Sequence, residues 1–222
     1  MPEPILYSLQ NCPYAMRARL GILLAKQAVM IRAIDLRDKP PEMLAVSPKG
    51  TVPVLVLDNT ENNGQATVID ESLDIMLWAL NQSDPDNLLY SDEPSQLPLM
   101  LSLIGRFDNE FKTHLENYKS AKRYHEASKT DHRQQCEAFI AELDQRLSQQ
   151  KYLMGDKLSL VDYAILPYLR QFARVERQWY TQTPYTHLHN WLKQHLTSQL
   201  FSQAMKKYPL WLDEQESFLI GT

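Results

Sequence analysis

The sequence predicts two successive parts: an α/β part of order βαβ-ββα over residues 1–82 and an all-α part over residues 95–222, with a linker at 83–94 between them. Three observations carry that expectation. Through residue 82, apolar runs of strand length alternate with apolar stripes of helical period. The stretch Asn81 to Ser95 holds Asp84-Pro85-Asp86 and Asp92-Glu93-Pro94-Ser95, acidic and broken by proline, as interdomain segments are. Beyond it only the helical period recurs.

Ile5 to Leu9 is short and apolar, bounded by Asn11 and Pro13, and reads as a buried strand. Pro13 then opens a helix, because proline's missing N–H would be unpaired at the first helical position and its φ is already helical. That places Cys12 at the N-cap. Unpaired N–H groups and the helix macrodipole stabilise an anion there, which makes Cys12 a candidate thiolate nucleophile. The alternative is an inert buried cysteine. The helix runs to about Lys26, with Ala15, Ala18, Ile22 and Ala25 on one stripe and Leu20, Leu23 and Leu24 widening it. Arg17 and Arg19 mark its expected wet face as solvated charges, with the alternative that either holds a carboxylate.

Val29 to Asp35 alternates apolar with polar residues as a second strand, and the strand, helix, strand order implies a parallel pair with a right-handed crossover. Glu42 to Val46 allows a short helical turn. Thr51 to Asp58 follows as a strand with Pro53 near its start, and the polar loop Asn59 to Gln65 returns it to Ala66–Ile69 as an antiparallel hairpin. Asp70-Glu71-Ser72 caps a helix whose apolar face is Leu73, Ile75, Met76, Leu77 and Leu80.

In the second part Met100, Leu103, Ile104, Phe107, Phe111, Leu115 and Tyr118 recur at helical spacing, as do Cys136, Phe139, Ile140, Leu143 and Leu147. Cys136 lies on that second stripe with no helix-terminus signal and reads as core filler. Ser159 and Asp162 have the spacing of a capping box, in which each side chain satisfies the other residue's backbone N–H. The helix they open contains Pro167, which removes one hydrogen bond at a cost of about 3 kcal/mol and should kink it. Two further helices follow, around Trp191 and Phe201, and Trp211 and Phe218 suit a tail that docks.

Composition narrows the function. Lys and Arg number 23 against 27 Asp and Glu, a net charge of −4, which lacks the basic footprint of a nucleic-acid binder. The start has no basic segment followed by an apolar core, and no stretch approaches the length of a membrane span, so a cytoplasmic location is expected. Two cysteines in unlike contexts make no disulfide framework. His187, His189 and His195 lack metal-ligand spacing, and the scattered glycines form no phosphate loop, so no metal is expected.

Taken together, Tyr7-Ser8, Cys12-Pro13-Tyr14-Ala15, Arg17 and Arg19, Asp38-Lys39-Pro40, Gly50-Thr51-Val52-Pro53-Val54, Asp70-Glu71-Ser72-Leu73-Asp74-Ile75, the capping box and Ala164-Ile165-Leu166-Pro167-Tyr168-Leu169 resemble, in order and spacing, a cytosolic glutathione transferase of the cysteine type, nearest the omega class and its bacterial relatives. The resemblance covers nearly the whole chain. It implies a thioredoxin-like N-terminal domain followed by a helical domain. It implies Cys12 as catalytic residue, and Tyr14, Lys39, Val52, Pro53, Glu71 and Ser72 as glutathione-binding residues. Glu71 would pair with the γ-glutamyl ammonium, and Ser72 at a helix N-terminus would hold the γ-glutamyl carboxylate. Val52, before a cis proline, would pair with the glutathione cysteine as an added strand does. Lys39 matches the position near the glycine carboxylate.

The implied activity is glutathione-dependent thiol transfer, reducing disulfides, dehydroascorbate-like oxidants or glutathionyl conjugates, with glutathione as cosubstrate. Ala15 stands where dithiol enzymes place a second cysteine, so a monothiol cycle is implied. Two alternatives stay open: conjugation of electrophiles without a covalent enzyme intermediate, with Tyr7 or Ser8 activating glutathione, and a non-catalytic interaction or ligand-carrier module. Phe107, Phe111, Tyr118 and Trp179 are candidates for the second-substrate pocket, with core packing as their alternative. The resemblance also implies a homodimer.

Overall fold

A computed structural model of the chain describes residues 3–57 and 66–222. It divides into two compact units, one formed by Met1–Asp86 together with Ser198–Thr222 and the other by Asn87–Thr197.

The first unit is a mixed five-stranded sheet in the order β4-β3-β1-β2-β5. Strand β1 (Ile5–Ser8) and strand β2 (Val29–Ala33) are parallel, with Ile5 opposite Met30, and helix α1 (Pro13–Leu24) makes the crossover that a parallel pair requires. Strand β3 (Val54–Leu57) runs antiparallel to β1 and to β4 (Thr67–Ile69), which forms the expected pairing. The connecting loop at 59–65 lies outside the described residues. Helix α2 (Pro41–Val46) precedes β3, and helix α3 (Ser72–Gln82) packs on α1. The approach is close: a Cβ at Gly21 would lie 2.6 Å from the Cα of Met76, so only glycine fits there.

Residues 198–222, expected in the helical part, belong instead to this first unit. Helix α10 (Gln199–Ala204) packs on α1, and the final strand β5 (Phe218–Ile220) extends the sheet antiparallel to β2, with Phe218 opposite Ile31. Arg32 fastens the segment between them, donating to Ser217 Oγ (3.1 Å) and lying 3.8 Å over the ring of Trp211 in helix α11 (Trp211–Glu214). Such an Arg–indole stack combines cation–π attraction with dispersion. Arg17 and Arg19 are not wet: both are buried, at 1% and 3% exposure, and Arg19 reaches the docked segment through a bond from its Nε to Ala204 O.

The second unit carries α4 (Gln96–Arg106), a single π turn at Phe107–Phe111, α5 (Lys112–Tyr124), α6 (Lys129–Gln149), α7 (Leu160–Val175), α8 (Arg177–Thr181) and α9 (Thr186–Leu196). The stretch read as linker is partly structural here. Leu88 and Tyr90 are buried, Leu160 N–H donates to Leu88 O (2.9 Å), and Tyr90 Oη–H donates to Lys157 O (2.9 Å).

Phe107, Phe111 and Tyr118 are core. Phe107 and Phe111 stack with ring centroids 4.2 Å apart, and Phe111 and Tyr118 both meet Phe172 of α7. Trp179 sits half-buried beneath the Arg133 guanidinium, 4.3 Å from its centroid. Three of the four residues proposed for a second substrate therefore have their rings committed to the interior, where burying an aromatic side chain is worth most. Cys136 is also buried, and that burial pushes its thiol up to about 12. No helix among the described residues is long and apolar enough to cross a membrane.

Candidate active site

The site begins at the end of β1. The chain leaves the sheet at Ser8 and turns through Leu9–Asn11, where Cys12 N–H donates to Leu9 O (3.2 Å). Cys12 has extended backbone angles (φ −73°, ψ 123°), Pro13 occupies the first turn, and the Cys12 carbonyl accepts the first helical bond from Met16 (2.9 Å). The thiol is thus at a helix N-terminus, where the unpaired N–H groups favour an anion. It is half-buried and directed toward the Val52 carbonyl, 3.9 Å away. The Val52–Pro53 peptide is cis.

The loop that presents Cys12 is held by a buried cation. Arg19 Nη1 donates to Ser8 Oγ (2.5 Å) and Leu9 O (3.1 Å), Nη2 donates to Gln10 O (2.6 Å), and Nε donates to Ala204 O (2.7 Å). Gln10 Nε2 adds a bond to Met205 O (2.8 Å). Every one of these acceptors is neutral, so burial lowers the guanidinium pKa to about 10, against the opposing influence of Cys12 and Tyr208. The planar five-donor fork lets one side chain tie the β1–α1 loop to the end of α10.

Cys12 opens onto a cleft of about 450 Å³. From the residues expected at the site, Cys12, Tyr14, Val52, Pro53, Glu71 and Ser72 line it. Ser72, buried, is the first residue of α3, and Glu71 is that helix's extended N-cap. A second helix N-terminus therefore faces the same cleft as the first, a natural seat for a carboxylate.

Lys39 is not part of this lining. Its ammonium sits beside Gly50, where an added Cβ would come within 3.2 Å of it. The cation on the cleft is Lys49, which the sequence reading missed along with Asp70, Thr51 and Leu36. Lys49 Nζ donates to Glu71 Oε1 (2.5 Å) and lies 4.0 Å from Asp70 Oδ2, and the Glu71 bond raises the lysine pKa. Both partners are well exposed, so this is a solvent-screened pair.

Tyr7 and Ser8 do not line the cleft. The Tyr7 hydroxyl accepts from Arg32 (2.9 Å), while burial raises its pKa against the pull of that cation, and the Ser8 hydroxyl is engaged by Arg19.

In chemical terms, the cleft offers a sulfur nucleophile, a backbone carbonyl at a cis-proline turn, a helix N-terminus and a carboxylate pair. That set suits a zwitterionic peptide with a sulfur in its middle.

Comparison with known proteins defines the class. The family model for the glutathione S-transferase N-terminal domain matches residues 6–87, and that for the C-terminal domain matches residues 114–194. The chain belongs to the glutathione S-transferase family, a family of enzymes. Within it the chain is omega-like. It is 26% identical over 180 residues to glutathione S-transferase omega-1 of Sus scrofa, spanning 79% of this chain and 70% of that protein. It is 26% identical over 165 residues to a probable glutathione S-transferase, DHAR4, of Arabidopsis thaliana, spanning 72% and 67%.

Among solved structures, the fold is shared with glutathione transferase Omega 2C from Trametes versicolor (TM-score 0.74, 17% identity, 93% of this chain and 94% of that one). It is also shared with a glutathione transferase from Pseudomonas putida crystallised with one glutathione disulfide per subunit (TM-score 0.79, 17% identity, 93% and 92%).

Proposed function

We propose that this transferase is a glutathione-dependent thiol transferase working through Cys12. The observation that carries the reading is the placement of the Cys12 thiol at a helix N-terminus, 3.9 Å from the Val52 carbonyl, in a cleft shared with the N-terminus of α3. The omega-class relatives support it. In the first step the Cys12 thiolate attacks the glutathionyl sulfur of a mixed disulfide, forming an enzyme–glutathione disulfide and expelling the partner thiolate, which takes a proton from water. In the second, a glutathione thiolate attacks that disulfide, releasing glutathione disulfide and restoring Cys12. Ala15 supplies no thiol of its own, so the resolving sulfur is external.

Bound glutathione places its γ-glutamyl carboxylate on Ser72, its ammonium on Glu71 and its cysteine backbone along Val52, in the cleft that Cys12 and Tyr14 also line, while Lys39, expected near the glycine carboxylate, lies outside that lining. A cytoplasmic homodimer belongs to the same proposal. The test is a panel of mixed disulfide, dehydroascorbate and aryl halide assayed with wild type and Cys12→Ala. Disulfide reduction confined to the wild type supports the reading, and aryl-halide conjugation unaffected by the variant favours the conjugating alternative.

Two predictions concern the ligand's charged end. Ser72→Ala and Glu71→Gln each weaken glutathione binding about 5- to 100-fold by calorimetry, because a charged group loses its partner. Unchanged affinity in both variants removes glutathione from this cleft. Lys49→Met has the opposite sign: it frees Glu71 for the ammonium and tightens binding about two- to fivefold at low salt, the range of an exposed pair. The gain fades as ionic strength rises. Weaker binding in Lys49→Met instead assigns the lysine to a ligand carboxylate.

A further inference from the structure

A second concave site lies in the Asn87–Thr197 unit, a groove of about 440 Å³ where the end of α7, α8 and α9 meet. Its floor is apolar, formed by Ala173, Leu192, Leu196 and the ring of Tyr180, which packs against His189 at 4.5 Å. Its rim is cationic: Arg174, Arg177 and Lys193 are all exposed on it, and their side chains make no ion pair or hydrogen bond among the described residues.

None of the neighbouring carboxylates pairs with these three cations among the described residues, although the charge of Asp144 is felt by Tyr180 and His189. Glu176 accepts from Tyr118 (2.7 Å), Lys129 (2.8 Å) and Arg133 (3.2 Å), and Asp144 accepts the Leu188 N–H (2.8 Å). The crowding registers on the next cation along α7, where burial first, and then repulsion from Arg174 and Arg177, lowers the pKa of Arg170.

Three exposed cations around an apolar floor give this groove a local positive potential in a chain whose net charge is −4, which favours an anionic occupant. A single carboxylate leaves most of that charge unmet, whereas a phosphate monoester carries nearly two charges at neutral pH and three oxygens that guanidinium forks recognise bidentately. The volume lies within the range of small-ligand clefts, about 300–1,000 Å³. We propose that this groove is a binding site for an organic phosphate monoester with an apolar or aromatic body, the phosphate held by Arg174, Arg177 and Lys193 and the body lying on Leu192 and Leu196. The site is chemically separate from Cys12 and needs no glutathione.

The test uses the full chain and 1-naphthyl phosphate as the probe, with titrations followed by its fluorescence. Inorganic phosphate and naphthalene-1-sulfonate serve as comparators lacking the body or the second charge. The probe is expected to bind at least about tenfold more tightly than either comparator, more weakly as salt rises, and equally well with glutathione saturating. Arg174→Gln and Arg177→Gln each lower its affinity about tenfold, and Ala173→Trp, which fills the floor, lowers it without changing charge. All three positions are at least partly exposed, and circular dichroism confirms that the variants fold. Each variant retains wild-type disulfide reduction. No saturable binding, displacement by glutathione, equal affinity for the sulfonate, or indifference to both arginine substitutions overturns the proposal.

Discussion

Cys12→Ser loses at least about a hundredfold of disulfide-reducing activity while keeping glutathione affinity within about twofold of wild type. The reason is the nucleophile. A serine hydroxyl is essentially un-ionised at neutral pH, whereas a thiol is the most nucleophilic of the side-chain groups even when only partly ionised. The substitution changes one atom at a position whose backbone is already fixed by the Leu9 turn and the Met16 bond, so the cleft keeps its shape. Ser72 and Glu71 stay on α3, and glutathione still binds through them. Intact-mass spectrometry after incubation with glutathione disulfide gives the second readout, one glutathione adduct in wild type and none in Cys12→Ser. Full activity in Cys12→Ser, or an adduct that persists because it forms on Cys136, ends the mechanism proposed above. The latter is disfavoured by burial, which holds the Cys136 thiol at about 12.

What was legible in the sequence was local. Cys12 before Pro13 fixes an N-cap by the stereochemistry of two residues, and the structure places it there. Ser159 and Asp162 announce their capping box in the same way. The cis bond at Val52–Pro53 was legible only through resemblance, since nothing in the two residues themselves selects it.

What was not legible was set by distant chain. Helical periodicity gives Arg19 a wet face, but its Nε bonds Ala204, 185 positions away, and the segment that covers it ends in a three-residue strand too short to show a pattern. Lys49 escaped for a related reason. It lies in a turn after Pro48, and only the folded β3–α3 geometry brings its ammonium to Glu71. The aromatic stripe of Phe107, Phe111 and Tyr118 was correctly read as one face of a helix, but periodicity reports that a face is buried and not what buries it.

Asp162→Ala destabilises the second unit more than any surface substitution, by about 3–5 kcal/mol. The wild-type carboxylate is wholly buried and serves as a hub. Oδ1 accepts from Leu153 N–H (3.0 Å) and from the Trp191 indole N–H (3.0 Å), while Oδ2 accepts from Ser159 N–H (3.0 Å) and Ser159 Oγ–H (2.7 Å). These donors come from the loop before α7, from the N-cap of α7 and from α9, so a single side chain joins three segments. Burial raises the carboxyl pKa, and the four donors pull against it.

Alanine removes every acceptor at once. Each stranded buried N–H costs about 1–3 kcal/mol, offset in part by the desolvation no longer suffered by the carboxylate. Asparagine keeps the Oδ1 pair but turns an N–H toward Ser159, and is expected to fall between the two. For a chain of this size each kcal/mol lowers the apparent Tm by about 2–4 °C, so Asp162→Ala shifts thermal unfolding down by roughly 6–20 °C. Thermal unfolding followed by far-ultraviolet circular dichroism checks this, with tryptophan fluorescence reporting on Trp191 once its indole partner is gone. A shift under about 2 °C in Asp162→Ala means that water or a neighbouring side chain takes over the three segments' donors, and the hub is then redundant.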